Sequence, residues 1–599
     1  MAVVDQQTKK RFLRRLNTRR KGAAELSQQA DQQIDKLLLR RFNRLVSVKR
    51  FVFLWVGLFV ILFFTTFAQS RDLSHYYQVM RPVPGGLYTE GLVGTFTNAN
   101  PLYASGAADV GVSRLVFAGL FKYDSNNRLV GDMASDYRID KTQKRYIVHL
   151  RKNIVWHDGK PFTADDVLYT YHTIQNLRAQ SALYASWRDI TVSSLDEHTV
   201  IFDLPNALSS FPHALTNGIV PKHLLQNIPP EQLRSAAFNT KPIGTGPFSW
   251  RSVEVSGSVS SANSDRRQRI ALAAFNKYWH GKPKLDGFNL LTFTDENKLV
   301  EAFKEKQINA ISGLESLPAA LEGDSSVQAY VTPLTSVVMA FMNNSRPALN
   351  NVNVRKALVS GVDVKKSLTL TPYATKRVEE PFLKGQIGYD HGMAELPYNT
   401  ELANKLLDGE GYKRGPDGMR LKDGKPLAFN LSSQNTENYS ITAKYLQKEW
   451  AKLGVKVTVN YYEGEELQGS IIGNHDYDIL LYGISLGVDP DMFPYWDSSQ
   501  ANINSQGHLN LSEYKSSVAD QALQAGRTRA DEKLRAIKYK EFLKAWRKDA
   551  PALALYQPNF LYISRGAVYN YGSKEFNSAA DRYNSVDQWM IRQKRQNVN

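Results

Sequence analysis

Residues 51–68, FVFLWVGLFVILFFTTFA, run for eighteen residues without a charge. As a helix rising about 1.5 Å per residue, this run spans most of a hydrocarbon core of roughly 30 Å, and Gln69 and Ser70 fall at the interface. It divides the chain into two parts with different solvents. Lys49 and Arg50 precede it, and residues 1–50 carry 14 Lys and Arg against 4 Asp and Glu, a net +10 of the total +17. The excess of positive charge predicts a cytoplasmic N-terminus and everything from Arg71 onward outside the membrane. A cleaved signal peptide ending at Thr66-Phe67-Ala68 is the competing reading. A fifty-residue preamble and an apolar run longer than a signal's hydrophobic region favour an uncleaved anchor.

Ahead of the span, residues 1–22 are basic and polar. From Leu26, apolar residues recur at three- and four-residue steps (Ala30, Ile34, Leu37, Leu38, Phe42, Leu45), with Arg40, Arg41 and Arg44 on the other face. That pattern predicts an amphipathic helix against anionic lipid or a partner helix, or a cytoplasmic helix with a solvated basic face. With most of the basic excess beside a membrane span, orientation explains the charge and nucleic acid is not required. The chain has no cysteine, which removes disulfides, thiolate metal sites, cysteine catalysis and a lipidated-cysteine anchor. Its eleven histidines are scattered, without HExxH or a tight acid-backed pair, so no metal site and no cofactor are expected.

At 599 residues and 42% hydrophobic content, the chain is long and apolar enough for two or more lobes. Residues 71–90, with Pro82, Pro84, Gly85 and Gly86, read as a linker, and the folded region as starting near Gly91. Residues 146–150 alternate as a strand, carrying His149. His157-Asp158-Gly159-Lys160 reads as a turn tip, and Thr163 as the cap of a helix through Asp166 and Tyr169. Residues 251–269 are polar and Ser-rich, the composition of an exposed loop. Residues 399–407 and 445–453 are amphipathic helices, the second stopped by Gly454 before a strand over 455–461. In residues 352–363, Val354, Ala357, Leu358, Gly361 and Val362 share one helix face, and Arg355 and Asp363 read as structural ion partners. Residues 476–496, DYDILLYGISLGVDPDMFPYW, combine a buried strand with a proline-punctuated loop. Asp489 at the strand's mouth, ringed by Tyr482, Phe493, Tyr495 and Trp496, could receive an ammonium group. The plainer alternative is that Asp489-Pro490 only starts a turn.

Several blocks in order across residues 91–560 resemble the family 5 extracellular solute-binding proteins of ABC importers, which bind oligopeptides, dipeptides or nickel. They are Asn100-Pro101-Leu102, residues 115–137, YIVHLRKNIVWHDGKPFTADDVLYTY at 146–171, PIGTGPF at 242–248, FNKYWHGKPKLD at 275–286, residues 352–363, YNTELANKLLDGEGY at 398–412, DYDILLYGISLGVDPD at 476–491 and DAPALALYQP at 549–558. The resemblance implies an α/β, two-lobed, type II periplasmic-binding-protein-like fold, closing on ligand by hinge motion. It implies an N-terminal lobe over 91–334, a C-terminal lobe over 335–552 and a return segment over 553–599, after the basic segment 1–50, the anchor 51–70 and the linker 71–90. The crossings are expected near 330–345 and 545–560. Lining residues implied are Asn100, Leu102, Thr245 and Gly246 from the first lobe, and Tyr482, Ile484, Leu486 and Asp489 from the second. Asp489 matches the family aspartate that pairs with a peptide's α-amino group, and Asp491 is expected to face solvent or cap the turn. The chain departs from the family at Ile484, where a tryptophan is common, and in its transmembrane helix.

The function these readings imply is a membrane-anchored, monomeric substrate-binding component of a peptide importer, not an enzyme. Its binding domain is extracellular or periplasmic, and it delivers ligand to ABC permease and ATPase subunits. The chain has no Walker A motif, so ATP hydrolysis falls to a partner. The alternatives are a ligand-binding sensor or scaffold uncoupled from transport, favoured by the basic cytoplasmic segment, and a binder of a non-peptide ligand such as a nickel chelate. A hydrolase lacks support, since no GxSxG elbow, zinc helix or paired-acid site is present.

Overall fold

The apolar run folds as part of one helix, Lys49–Tyr76. The twenty residues from Phe51 to Ser70 are long and apolar enough to cross a membrane, and none of that stretch is buried by protein. Its two threonines satisfy their hydroxyls internally, Thr65 donating to the Ile61 carbonyl at 2.8 Å and Thr66 to that of Leu62. Those back-bonds are what a hydroxyl needs where no water is available. The structure, a computed structural model, describes residues 49–597 except 77, 258–265, 372, 374, 375 and 505–508, together with residues 22, 27, 28, 30, 32 and 33. The basic arm and the amphipathic helix expected from Leu26 fall almost wholly outside the described residues. The chain forms two compact units, Met1–Arg81 with Gln593–Asn599, and Pro82–Arg592. In the first, the helix is followed by the strand Gln78–Val83, which pairs with the C-terminal strand Arg592–Asn597.

The linker reading of residues 71–90 therefore needs correcting. Helix runs to Tyr76, a strand follows, and only the turn at Gly85 and Gly86, both in the left-handed region at φ +107° and +100°, separates it from the next strand, Leu87–Val93. Gly91 stands inside that strand, where a Cβ would lie 2.5 Å from the Ile308 side chain.

The second unit holds two lobes, each with its own sheet. Lobe 1 has seven strands in the order Val327–Pro333, Asn559–Arg565, Ala310–Ser312, Leu87–Val93, Gly287–Phe293, Arg267–Ala274 and Phe248–Ser256. A four-stranded antiparallel sheet carrying Arg145–Leu150 extends the same lobe. Lobe 2 has six strands in the order Lys376–Arg377, Ala552–Gln557, Ser336–Met342, Ile479–Ser485, Ala428–Gln434 and Lys456–Tyr462. The chain passes from one sheet to the other between Pro333 and Ser336 and returns between Gln557 and Asn559. The second crossing thus follows residue 557 rather than 552, because Ala552–Gln557 still pairs with Ser336–Met342.

The lobe 2 strands are apolar on both faces because helices cover both. On one face Val338, Ala340, Met342, Ile479 and Leu481 pack with Val354, Ala357, Leu407, Leu446 and Trp450. On the other, Val337, Met339, Phe341, Leu480 and Ile484 pack with Leu523, Tyr539, Phe542 and Trp546. Arg355 and Asp363 are structural but not partners of each other. Arg355 donates to the carbonyls of Leu349, Asn350 and Asp549, and Asp363 accepts from the Lys366 amide to cap a short helix. Nor are residues 251–269 all loop. Phe248–Ser256 and Arg267–Ala274 pair antiparallel and take in both ends of that stretch, with Val253, Ile270 and Leu272 on alternating positions.

Candidate functional site

Where the chain crosses between lobes, both contribute walls to one cavity of about 370 Å³. Lobe 1 supplies Gly313, Leu314, Glu315, Phe560 and Leu561; lobe 2 supplies Ser336, Val338, Asn438, Tyr439, Gly483, Ser485 and Tyr556. The volume lies in the range that small-ligand sites occupy. Strand parity decides which side chains reach it. Along Ile479–Ser485 successive residues point to opposite faces, so Gly483 and Ser485 look toward the cavity and Ile484 toward the core. A larger residue at Gly483 would displace Tyr439, because a Cβ there would lie 2.8 Å from the Tyr439 hydroxyl oxygen. Burial raises the Tyr439 hydroxyl far above its ordinary value and pushes that of Tyr556 up to about 12, so both stay neutral.

The lobes are closed on this cavity. The Asn438 amide of lobe 2 donates to Glu315 of lobe 1 at 2.9 Å, and the Ser316 hydroxyl donates to Glu437 at 2.9 Å. Elsewhere along the cleft, the Ser209 amide donates to the Arg527 carbonyl at 3.0 Å and the Ala530 amide to the Gln143 side chain at 2.9 Å.

None of the eight lining residues expected from the sequence faces this cavity. Asp489 spends both oxygens on Arg535, with Nη1 donating to Oδ2 at 2.8 Å and Nη2 to Oδ1. Arg535 is held further by its Nε donating to the Gly526 carbonyl at 3.2 Å. The Asp489 carboxylate already has its cation. Asp491, expected at the solvent or capping the turn, does accept from the Phe493 amide but is half-buried against Arg527 at 2.8 Å. Burial there pushes its carboxyl up, and Arg527 only partly offsets this. Of the aromatic ring expected around Asp489, Trp496 packs on Phe341 and Trp546 in the core, while the Tyr495 hydroxyl donates to the Ser485 carbonyl at 2.7 Å. Ile484 and Leu486 are buried in that same core, and the Tyr482 hydroxyl accepts from Gln468.

In lobe 1 the expected residues make a brace. Asn100 is buried, donating to Asn239 at 3.1 Å and accepting from the Leu102 amide at 3.0 Å, and Leu102 itself is core. Thr245 donates to the sulfur of Met133 at 3.2 Å. The Gly246 amide donates to the Val116 carbonyl at 2.8 Å, an approach that side chains at Gly244 or Gly246 would block. His157 ties this loop to its own turn. Its Nδ1 accepts from the Gly244 amide at 3.2 Å, so Nε2 carries the proton and donates to the Gly246 carbonyl at 3.0 Å. Burial drives the imidazole down to about 4.

Sequence reasoning missed the cavity walls themselves. Gly483 and Ser485 lay within the quoted strand, one residue out of phase with the residues chosen, and Tyr556 lay within ALALYQP. Glu315 carries no periodic signal in its loop.

Comparison with known proteins adds to this geometry. The family described as "Bacterial extracellular solute-binding proteins, family 5 Middle" matches residues 128–505. The oligopeptide-binding protein AppA of Bacillus subtilis (strain 168) is 25% identical over 535 residues, covering 88% of this chain and 95% of that protein. Among solved structures, NikZ of Campylobacter jejuni in complex with Ni(L-His) superposes with a TM-score of 0.71 at 25% identity, over 84% of this chain and 99% of that one. AppA of Bacillus subtilis in complex with a nonapeptide gives 0.69 at 23%, over 86% and 100%.

Proposed function

Since the chain belongs to the bacterial extracellular solute-binding proteins, family 5, we propose that it binds peptides in the cavity between its lobes and hands them to an ABC permease driven by separate ATPase subunits. The observation that carries this is the cavity of about 370 Å³ built by both lobes at the two chain crossings. A ligand there touches both lobes at once, so its binding energy goes into holding them together. Ser336 and Ser485, at the ends of two paired strands, place hydroxyls on the wall that suit the polar groups of a peptide backbone. Tyr439, Tyr556 and Phe560 suit its side chains.

The helix Lys49–Tyr76 anchors the protein, with the basic segment in the cytoplasm and the lobes outside. It leaves the lobes near a membrane-embedded permease. The solved neighbour in complex with Ni(L-His) makes a metal chelate the second ligand to assay.

The test is native mass spectrometry of the full chain purified in detergent from its own cells, followed by small-angle scattering with and without the ligand so identified. A bound peptide and a smaller radius of gyration on binding are expected. Peptide binding with an unchanged radius would remove the hinge-closure reading, and a co-purified non-peptide would remove the peptide one.

A further inference from the structure

We propose that the cleft selects peptides bearing a positively charged side chain, whose ammonium or guanidinium group Glu315 receives. The inference rests on the cleft being the binding site and adds the chemical class of what enters.

Closure brings carboxylates together from opposite lobes. Glu315, on a lobe 1 loop, meets the first turn of the lobe 2 helix Glu437–Lys452, where it accepts the Asn438 amide. Next to it Ser316 donates to Glu437, so the two glutamates approach along one seam. Glu296 is close enough to feel both, since partial burial and the charges of Glu315 and Glu437 together push its carboxyl up. The helix N-terminus offsets a part of this charge, about half an elementary charge by its dipole. Most of the negative potential remains.

Among the described residues lining the cavity there is no lysine, arginine or histidine, and Glu315 is the one acidic residue. Tyr439 and Tyr556 on the wall are neutral, and with Phe560 they add aromatic rings, a class of group that attracts cations. Closing an empty cleft therefore gathers like charges in a site of lowered dielectric. A cationic ligand removes that repulsion, and an anionic ligand adds to it. A ligand shifts the open–closed balance only by its differential affinity for the two states, so charge becomes part of the closing signal.

Calorimetry on the full chain in detergent, with trilysine, trialanine and triglutamate at low and high salt, tests this. Trilysine should bind at least about tenfold more tightly than trialanine, and triglutamate most weakly, with the spread narrowing in high salt. Glu315→Gln keeps an oxygen for the Asn438 amide and should cost trilysine about tenfold while leaving trialanine nearly unchanged. Glu437→Gln, on an exposed side chain, should move the preference the same way by less. Triglutamate binding as tightly as trilysine, or a Glu315→Gln loss equal for all three peptides, would overturn charge selection while leaving peptide binding in the cleft intact. If none of the three binds the wild type, the peptide reading falls, and this inference with it.

Discussion

Asp489→Asn separates the two roles open to that carboxylate, ligand anchor and structural counter-charge. The ion pair with Arg535 favours the second. The Arg535 side chain is 3% exposed and that of Asp489 14%, and the guanidinium is held by both carboxylate oxygens. Asparagine offers one acceptor oxygen and no charge, so it leaves a buried cation uncompensated. Removing one partner of a buried pair costs about 3–5 kcal/mol. For a unit of 150–250 residues each kcal/mol is worth about 2–4 °C, so lobe 2 should melt roughly 10 °C lower. Tryptophan fluorescence during urea denaturation reads this, because Trp496 and Trp546 are buried in the lobe 2 core. Adding Arg535→Met removes the stranded charge and should recover part of the loss, giving a coupling energy of about 1–3 kcal/mol in the double-mutant cycle. Peptide affinity, measured below the new unfolding midpoint, should change little. The reasoning is refuted if Asp489→Asn stays within about 0.5 kcal/mol of wild type yet weakens peptide binding tenfold or more.

His157 should make the protein acid-sensitive. Its folded value of about 4 lies below the ordinary 6.5, so its contribution is complete above pH 6.5 and is lost as pH falls toward 4. The full loss is roughly 3 kcal/mol, and His157→Gln should flatten that limb of a stability-against-pH curve. Gly246→Ala would set a Cβ 2.6 Å from the Val116 carbonyl carbon and should cost about 1–3 kcal/mol or more, read as a lower denaturation midpoint. For the anchor, Val60→Arg places a charge near the centre of the span at about 2.5–3.5 kcal/mol, and should shift protein from the carbonate-resistant membrane fraction to the soluble one. Protease added to intact or outer-permeabilised cells should degrade the lobes and spare a tag at the N-terminus. Degradation of the tag instead would reverse the topology.

What was legible in the sequence was local. Thr163 and Asp166 form a reciprocal capping box three residues apart, Gly454 ends a helix at φ +82°, and Gly244 and Gly246 admit a neighbouring backbone. Each is settled by residues within one turn, or by a backbone demand only glycine meets. The cavity wall is not local. Because lobe 2 is apolar on both sides of its sheet, DILLYGIS gives no alternation to say which face meets the cleft, and a one-residue error in phase exchanges Tyr482, Ile484 and Leu486 for Gly483 and Ser485. Glu315 acquires its role only when a helix start 123 residues away closes on it.

The fate of Asp489 was written in the chain, but elsewhere. The buried positions of the helix Glu532–Asp549 are Arg535, Tyr539, Phe542, Leu543, Ala545 and Trp546, an inward stripe at three- and four-residue steps with an arginine as its first member. A guanidinium at a core position requires a counter-charge, since desolvating it alone is prohibitive. The loop after Ile479–Ser485, which packs on that stripe, carries two carboxylates, and the helices opposite carry two buried or half-buried arginines, so the pairs Asp489–Arg535 and Asp491–Arg527 consume both acids. Each of these acids carries the charge of its arginine, which weakens its attraction for a second cation. Glu315, on the cavity wall, pairs with no arginine among the described residues, and that is why the proposed charge selection is placed there.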